Sequence, residues 1–152
     1  MHVPHNSVVL VADGRKLLFL RNAGDEVHPN LTVEHAEERN NPADRDQKTD
    51  AAGAASSTQM GGGAFAASRG SLGETDFHQL EEDRFAADAA ELLRTRALTN
   101  DYEALIVIAP PKTLGEMRKH YHKEVSNRLT GELSKDLTGH PIPDIEQALL
   151  NA

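Results

Sequence analysis

A single α/β domain built on a mixed sheet is predicted by three observations. Two short runs rich in β-branched residues, Ser7–Ala12 (SVVLVA) and Leu105–Ala109 (LIVIA), are apolar almost throughout. Strands covered on both faces read this way, whereas half-exposed strands alternate. An Asp13-Gly14 turn signal joins the first run to another apolar segment, Lys16–Arg21 (KLLFLR). On either side of Leu105–Ala109, apolar residues recur at helical spacing. At 152 residues the chain is long enough for one domain with a substantial core.

The elements follow in order. Ser7–Ala12 and Lys16–Arg21 form a hairpin, and Asn22-Ala23-Gly24-Asp25 is a second turn. Leu31–Ala36 (LTVEHA) alternates apolar and polar, which predicts a more exposed third strand. From residue 37 to residue 74 the pattern disappears into Asn, Asp, Gly, Ala and Ser, with GGG at 61–63, and a long flexible loop is expected. Thr75 or Asp76 then offers an N-cap, and with Asp76 in that role Gln79 completes a capping box. Glu81, Glu82 and Asp83 would sit near the positive end of the helix dipole. Phe85, Ala86, Ala89, Ala90, Leu93 and Ala97 make the inward stripe of this helix, which Thr99-Asn100-Asp101 ends.

Pro110-Pro111 stops the strand Leu105–Ala109, and Thr113-Leu114-Gly115-Glu116 reads as a second capping box. One helix follows, with Leu114, Met117, Tyr121 and Val125 on its buried face. Arg128–Ser134 is a weaker strand, with Leu129 and Leu133 on the same side. Pro141–Leu150 closes the chain as a helix, with Pro143 in its first turn and Ile145 and Leu149 inward. The order is β-β-β, loop, α-β-α-β-α. An antiparallel meander followed by two right-handed crossovers is the ribonuclease H-like arrangement, a five-stranded mixed sheet. It places Val8–Ala12 beside Leu105–Ala109 and running the same way.

Composition narrows the function classes. With no cysteine, thiol nucleophiles, disulfides and thiolate zinc sites are excluded. A hydrophobic fraction of 38% and an aromatic fraction of 4% are low, which fits a chain with a large loop share. No apolar run approaches the ~20 residues that span a bilayer, and MHVPHNSVVLVADG does not read as a signal peptide, so a cytoplasmic protein is expected. A formal net charge of −8 disfavours wholesale coating of nucleic acid but leaves room for a local basic surface.

A ribonuclease H-like nuclease gathers carboxylates from the first strand, the first helix and the fourth strand around two metal ions. Asp13 ends the first strand and Glu81 or Glu82 lies on the helix, but the fourth strand ends in Ala109-Pro110-Pro111. Asp136 is the nearest substitute, from another strand. His78 and Glu82 are at i, i+4 and share a helix face, so Asp13, His78 and Glu82 form the candidate catalytic set. Each also has a plain role: Asp13 in a turn, His78 and Glu82 on a solvated helix. His120 and His122, two apart, do not share a face. No phosphate-loop pattern surrounds Gly61–Gly63. No metal or cofactor is therefore expected. Lys112, Arg118, Lys119, Lys123 and Arg128 concentrate positive charge in one segment, diluted by Glu116 and Glu124. They are the candidate RNA-binding residues, although such a stretch is also an ordinary solvated face.

Several stretches together resemble the bacterial host attachment proteins, described as required for attachment to host cells. They are VVLVADGRKLLFLRN (8–22), PNL (29–31), TDFHQLEEDRFAADAAELL (75–93), LIVIAPPKTLGEMRKHYHKEV (105–125) and SKDLTGHPIPDIE (134–146). That family is similar to the middle domain of archaeal and eukaryotic peptide-chain release factors, itself ribonuclease H-like. In those factors a GGQ loop precedes a long helix. Here Gly62-Gly63 is followed by Ala64, and Gln59 lies on the other side, so the resemblance transfers no catalytic role to the loop. The missing fourth-strand carboxylate and the basic segment in an acidic chain lead to the expectation of a non-enzymatic interaction or regulatory domain of this family that touches RNA or the ribosome. The alternative is a hydrolase of a nucleic acid or tRNA ester using Asp13, His78 and Glu82.

Overall fold

The computed structural model describes residues 1–39 and 63–152, with side chains of the first helix described from Phe77 onward. Five strands form one open sheet: β1 Val8–Ala12, β2 Lys16–Asn22, β3 Leu31–Glu38, β4 Leu105–Ala109 and β5 Leu129–Ser134. Their spatial order is β3-β2-β1-β4-β5. β1 pairs antiparallel with β2 and parallel with β4, with Val8 opposite Arg21 on one side and Leu105 on the other. β2–β3 is antiparallel and β4–β5 parallel. The expected parallel contact of Val8–Ala12 with Leu105–Ala109 is therefore present at the centre of the sheet. Every residue of β1 and β4 is buried, as their unbroken apolar sequences require.

Among the described residues four helices accompany the sheet: α1 Gly63–Leu98, α2 Pro111–Arg118, α3 Lys123–Arg128 and α4 Ile142–Leu150. One face packs Val8, Leu10, Leu17, Phe19 and Leu105 against Phe85, Ala89 and Leu93 of α1, Leu114 and Met117 of α2, and Val125 of α3. The other packs Val9, Val11, Leu20 and Ile106 against Val3 and against Ile145 and Leu149 of α4. The predicted inward stripe of α1, from Phe85 to Ala97, is buried. The helix ends as its sequence suggests. Asn100 takes a left-handed φ of 58°, its N–H reaches Ala97 O, and Asp101 N–H reaches Arg96 O.

Five expectations are corrected. α1 begins at Gly63, well before the expected N-cap at Thr75 or Asp76. Glu81, Glu82 and Asp83 therefore lie in its interior rather than its first turn, and Gln79 Nε2 donates to Asp83 Oδ1 at 2.8 Å. The residues expected as a loop divide: 37–38 belong to β3, 63–74 to α1, and 40–62 lie outside the described residues. The second capping box does not form. α2 starts at Pro111, whose missing N–H costs nothing in a first turn, and Pro110 provides no side-chain cap.

The single helix expected across Leu114–Val125 is two. α2 closes when Lys119 and His120 turn their N–H groups to Glu116 O and Met117 O. α3 then restarts on His122, whose side chain accepts from Glu124 N. Finally, Leu129 and Leu133 face opposite sides of the sheet, the first against the α1 layer and the second against the α4 layer. A register shift between Leu105 and Ile106 skips Thr130 in the β4–β5 pairing, and one extra residue reverses the alternation.

Candidate functional site

Asp13 leaves β1 at the C-terminal edge of its pairing with β4. Its main-chain N–H donates to Lys16 O, and its Oδ1 accepts from the N–H groups of Arg15 and Lys16, both at 2.7 Å. This is an aspartate holding its own turn. Its Oδ2 is reached from the far end of the chain, where Thr138 Oγ1 donates at 2.6 Å. Thr138 is buried, and its hydroxyl also lies 3.3 Å from Asp136 Oδ1. One hydroxyl carries one proton, and the shorter contact assigns it to Asp13. Asp13 thus fastens the β1–β2 turn to the connection between β5 and α4.

Glu82 comes to the same turn from α1. A Cβ added at Gly14 would lie 2.7 Å from Glu82 Cγ and 2.8 Å from its Cδ, so a larger residue there would require the Glu82 side chain to swing aside. His78 sits one helical turn earlier on α1, its ring edge-on to Phe77 with centroids 6.5 Å apart. Glu82 therefore packs against the residue that follows Asp13, and His78 lies one turn away along the helix. Among the described residues no three His, Cys, Asp or Glu side chains are grouped to hold a metal ion.

The basic residues divide by partner. Arg118 makes a bidentate contact with Glu132 of β5, Nε to Oε1 at 3.1 Å and Nη2 to Oε1 at 2.9 Å, with Oε2 at 3.2 Å from Nε. That hydrogen-bonded pairing raises the guanidinium pKa. Lys119 pairs with Glu116 at 2.9 Å. Its hydrogen bond, with a second from His120, holds the Glu116 carboxyl below the usual range. Arg128 is a clamp: Nε donates to Tyr102 O at 2.9 Å, Nη1 to Glu124 Oε2 at 2.7 Å and Nη2 to Asn100 Oδ1 at 2.8 Å. Among the described residues Lys112 and Lys123, both exposed, form no ion pair, although Lys123 lies in the field of its neighbour Glu124.

Sequence reasoning singled out Asp13 and Glu82 as candidates but not the residues they meet here, Thr138 and Gly14. Thr138 lies within the quoted KDLTGHP stretch, yet nothing local ties it to a residue so distant in sequence. Gly14 was visible only as half of a turn signal, and its second role depends on α1 crossing above it.

Fold and site together define an α/β domain whose open mixed sheet is closed, at the C-terminal edge of β1, by polar contacts from both ends of the chain. The model of the family described as bacterial archaeo-eukaryotic release factor family 12 matches residues 6–149, and the chain belongs to that family. No curated protein matches it. The kinship with release factors read from the sequence is thus present at family level. No helix among the described residues is long and apolar enough to cross a membrane.

Proposed function

We propose that this chain is a non-enzymatic domain of ribonuclease H-like fold that works in translation and meets RNA or the ribosome through the surface of α2 and α3. The observation that carries the non-enzymatic part is the state of Asp13. Its two oxygens already accept three hydrogen bonds, two from the backbone and one from Thr138. A two-metal nuclease needs that carboxylate as a ligand. The strand order β3-β2-β1-β4-β5 supports the fold assignment, and the family supports the setting in translation. Lys112 and Lys123 are the cations best placed to meet phosphate, since the others in the segment are engaged with carboxylates. On this reading the protein is cytoplasmic, and any effect on attachment to host cells is indirect.

Co-sedimentation with ribosomes over a series of salt concentrations tests the proposal. Binding should weaken steadily as salt rises. The double variant K112E/K123E should weaken it about ten-fold, equivalent to ~1.4 kcal/mol, at an unchanged melting temperature. Absence of binding at low salt, or binding indifferent to both charges, refutes the RNA-contacting role.

A second reading, hydrolysis of a nucleic acid or tRNA ester, draws support from Glu82 lying against Gly14 beside Asp13. It expects a measurable ester hydrolysis that His78→Ala abolishes without loss of stability. Wild-type protein inert on such esters removes it.

A further inference from the structure

α3 begins on a histidine whose ring is a hydrogen-bond acceptor. His122, in extended backbone at φ −70° and ψ 152°, takes the N–H of Glu124 on its Nδ1 at 3.0 Å. A backbone N–H can only donate, so Nδ1 holds no proton and the ring is neutral, with its hydrogen on Nε2. Serine, threonine and asparagine, common N-caps, accept at any pH. An imidazole accepts only while neutral. The imidazolium has two donors and no acceptor, so once the ring is charged no rotation restores the cap.

The surroundings sharpen this conflict. Glu124 is the second residue of α3, so its N–H has no partner within the helix. The N-terminus of a helix carries partial positive charge, and Lys123 brings a full one beside the ring. Carboxylates act in the other direction. Glu91 of α1 is held below the usual carboxyl range by its hydrogen bond from Arg94, and His122 adds to that through charge. Glu124 is held low by Arg128, and His122 contributes there too. His120, the nearest other histidine, lies 3.4 Å from Glu116 of α2 instead. A charged ring is thus repelled from the helix terminus and drawn to carboxylates, whereas a neutral ring gains from capping.

The far end of α3 is fixed in either state. Arg128 donates to Tyr102 O and Asn100 Oδ1 as well as to Glu124 Oε2, and Val125 is buried in the core. The N–H groups of Val125 and Ser126 reach the main-chain oxygen of His122, which does not titrate. The response is therefore confined to the first turn, with Lys123 at its head.

We propose that His122 is a pH-operated cap: neutral, it closes the first turn of α3, and protonated at Nδ1 by solvent, it releases Glu124 N–H and loosens that turn. The device needs no ligand. It stands independently of the ribosome-contacting reading, although Lys123 sits on the turn that responds.

Nitrogen-15 NMR of the whole protein between pH 8 and pH 5, the range in which imidazoles ordinarily change charge, tests the proposal. At pH 8 the His122 ring should show Nδ1 bare and Nε2 protonated. As the ring titrates, the Glu124 amide proton should lose its hydrogen-bonded shift. Protection of the first-turn amides from exchange, corrected for the intrinsic rate at each pH, should fall about five-fold, the usual weight of one N-cap. His122→Asn, which caps at every pH, should hold both constant. A proton on Nδ1 at pH 8, or a Glu124 amide indifferent to the titration, overturns the proposal. So does the same loss in His122→Asn, which would assign it to His120 or to the carboxylates.

Discussion

Asn22 organises the N-terminal quarter of the molecule with one side chain. It is fully buried at the end of β2. Its Nδ2 donates to Val3 O at 2.8 Å and Asp25 O at 3.2 Å, and its Oδ1 accepts from the N–H groups of Gly24 and Asn30, each at 2.9 Å. The loop between β2 and β3 is thereby wrapped around an amide and tied to the segment ahead of β1. Gly24 has no alternative, because a Cβ there would lie 2.2 Å from His28 O. Asn22→Leu keeps the approximate volume but strands two backbone donors and two acceptors. It should cost about 3 kcal/mol, read as a lower urea midpoint at unchanged slope. The sequence showed Asn22-Ala23-Gly24-Asp25 only as a turn, since turn composition does not reveal whether an asparagine points outward or inward. Asp13 was half legible for the same reason: its turn is local chemistry, whereas Thr138 arrives by tertiary folding.

Among the elements, the break between α2 and α3 is the clearest case in which spacing misled. Leu114, Met117, Tyr121 and Val125 suit one continuous helix, and all four do pack on the same core. The interruption arises from hydrogen bonding that leaves the apolar spacing intact. His122 Nδ1 accepts from Glu124 N at 3.0 Å, serving as N-cap of a helix only six residues long. His122→Ala should cost about 1 kcal/mol in chemical denaturation, and His122→Asn, a good N-cap residue, should restore most of it. Equal losses in both variants would show that the imidazole matters for something other than capping. The bulge at Thr130 is similarly silent in sequence, although it decides which layer Leu133 joins. By contrast β1 and β4 were plain, because strands buried on both faces admit little but apolar residues.

For the molecule as a whole, the two tyrosines report on integrity, since the chain has no others and no tryptophan. Tyr102 donates its hydroxyl to Leu93 O at 2.8 Å, and burial pushes its pKa up to about 12. Burial also raises Tyr121 well above the usual phenol range. In the unfolded chain both ionise near 10. Between roughly pH 10 and 12 the folded state therefore holds protons that the unfolded state has released, and stability falls as pH rises through that window. Tyr102 alone supplies on the order of 2–3 kcal/mol of this loss. Tyrosinate absorbance should rise in one cooperative step together with loss of secondary structure. A separate rise near pH 10 in folded protein would contradict the burial of both rings. The general architecture was legible because its centre is written in two apolar runs. The sites were less so, because each depends on partners from different elements.

The pairing of Val8 with Leu105 has a consequence for how the chain is made. About two-thirds of the polypeptide separates the two strands. While the amino-terminal hairpin is emerging from the synthetic machinery, the flank of β1 that β4 will cover stays unsatisfied. At typical elongation rates that wait is roughly 5–20 s. Over that interval a nascent strand with open backbone donors and acceptors is vulnerable to mispairing with another copy of itself. Slower synthesis lengthens the exposure, so yield of native protein should depend on the tempo of elongation between the two strands.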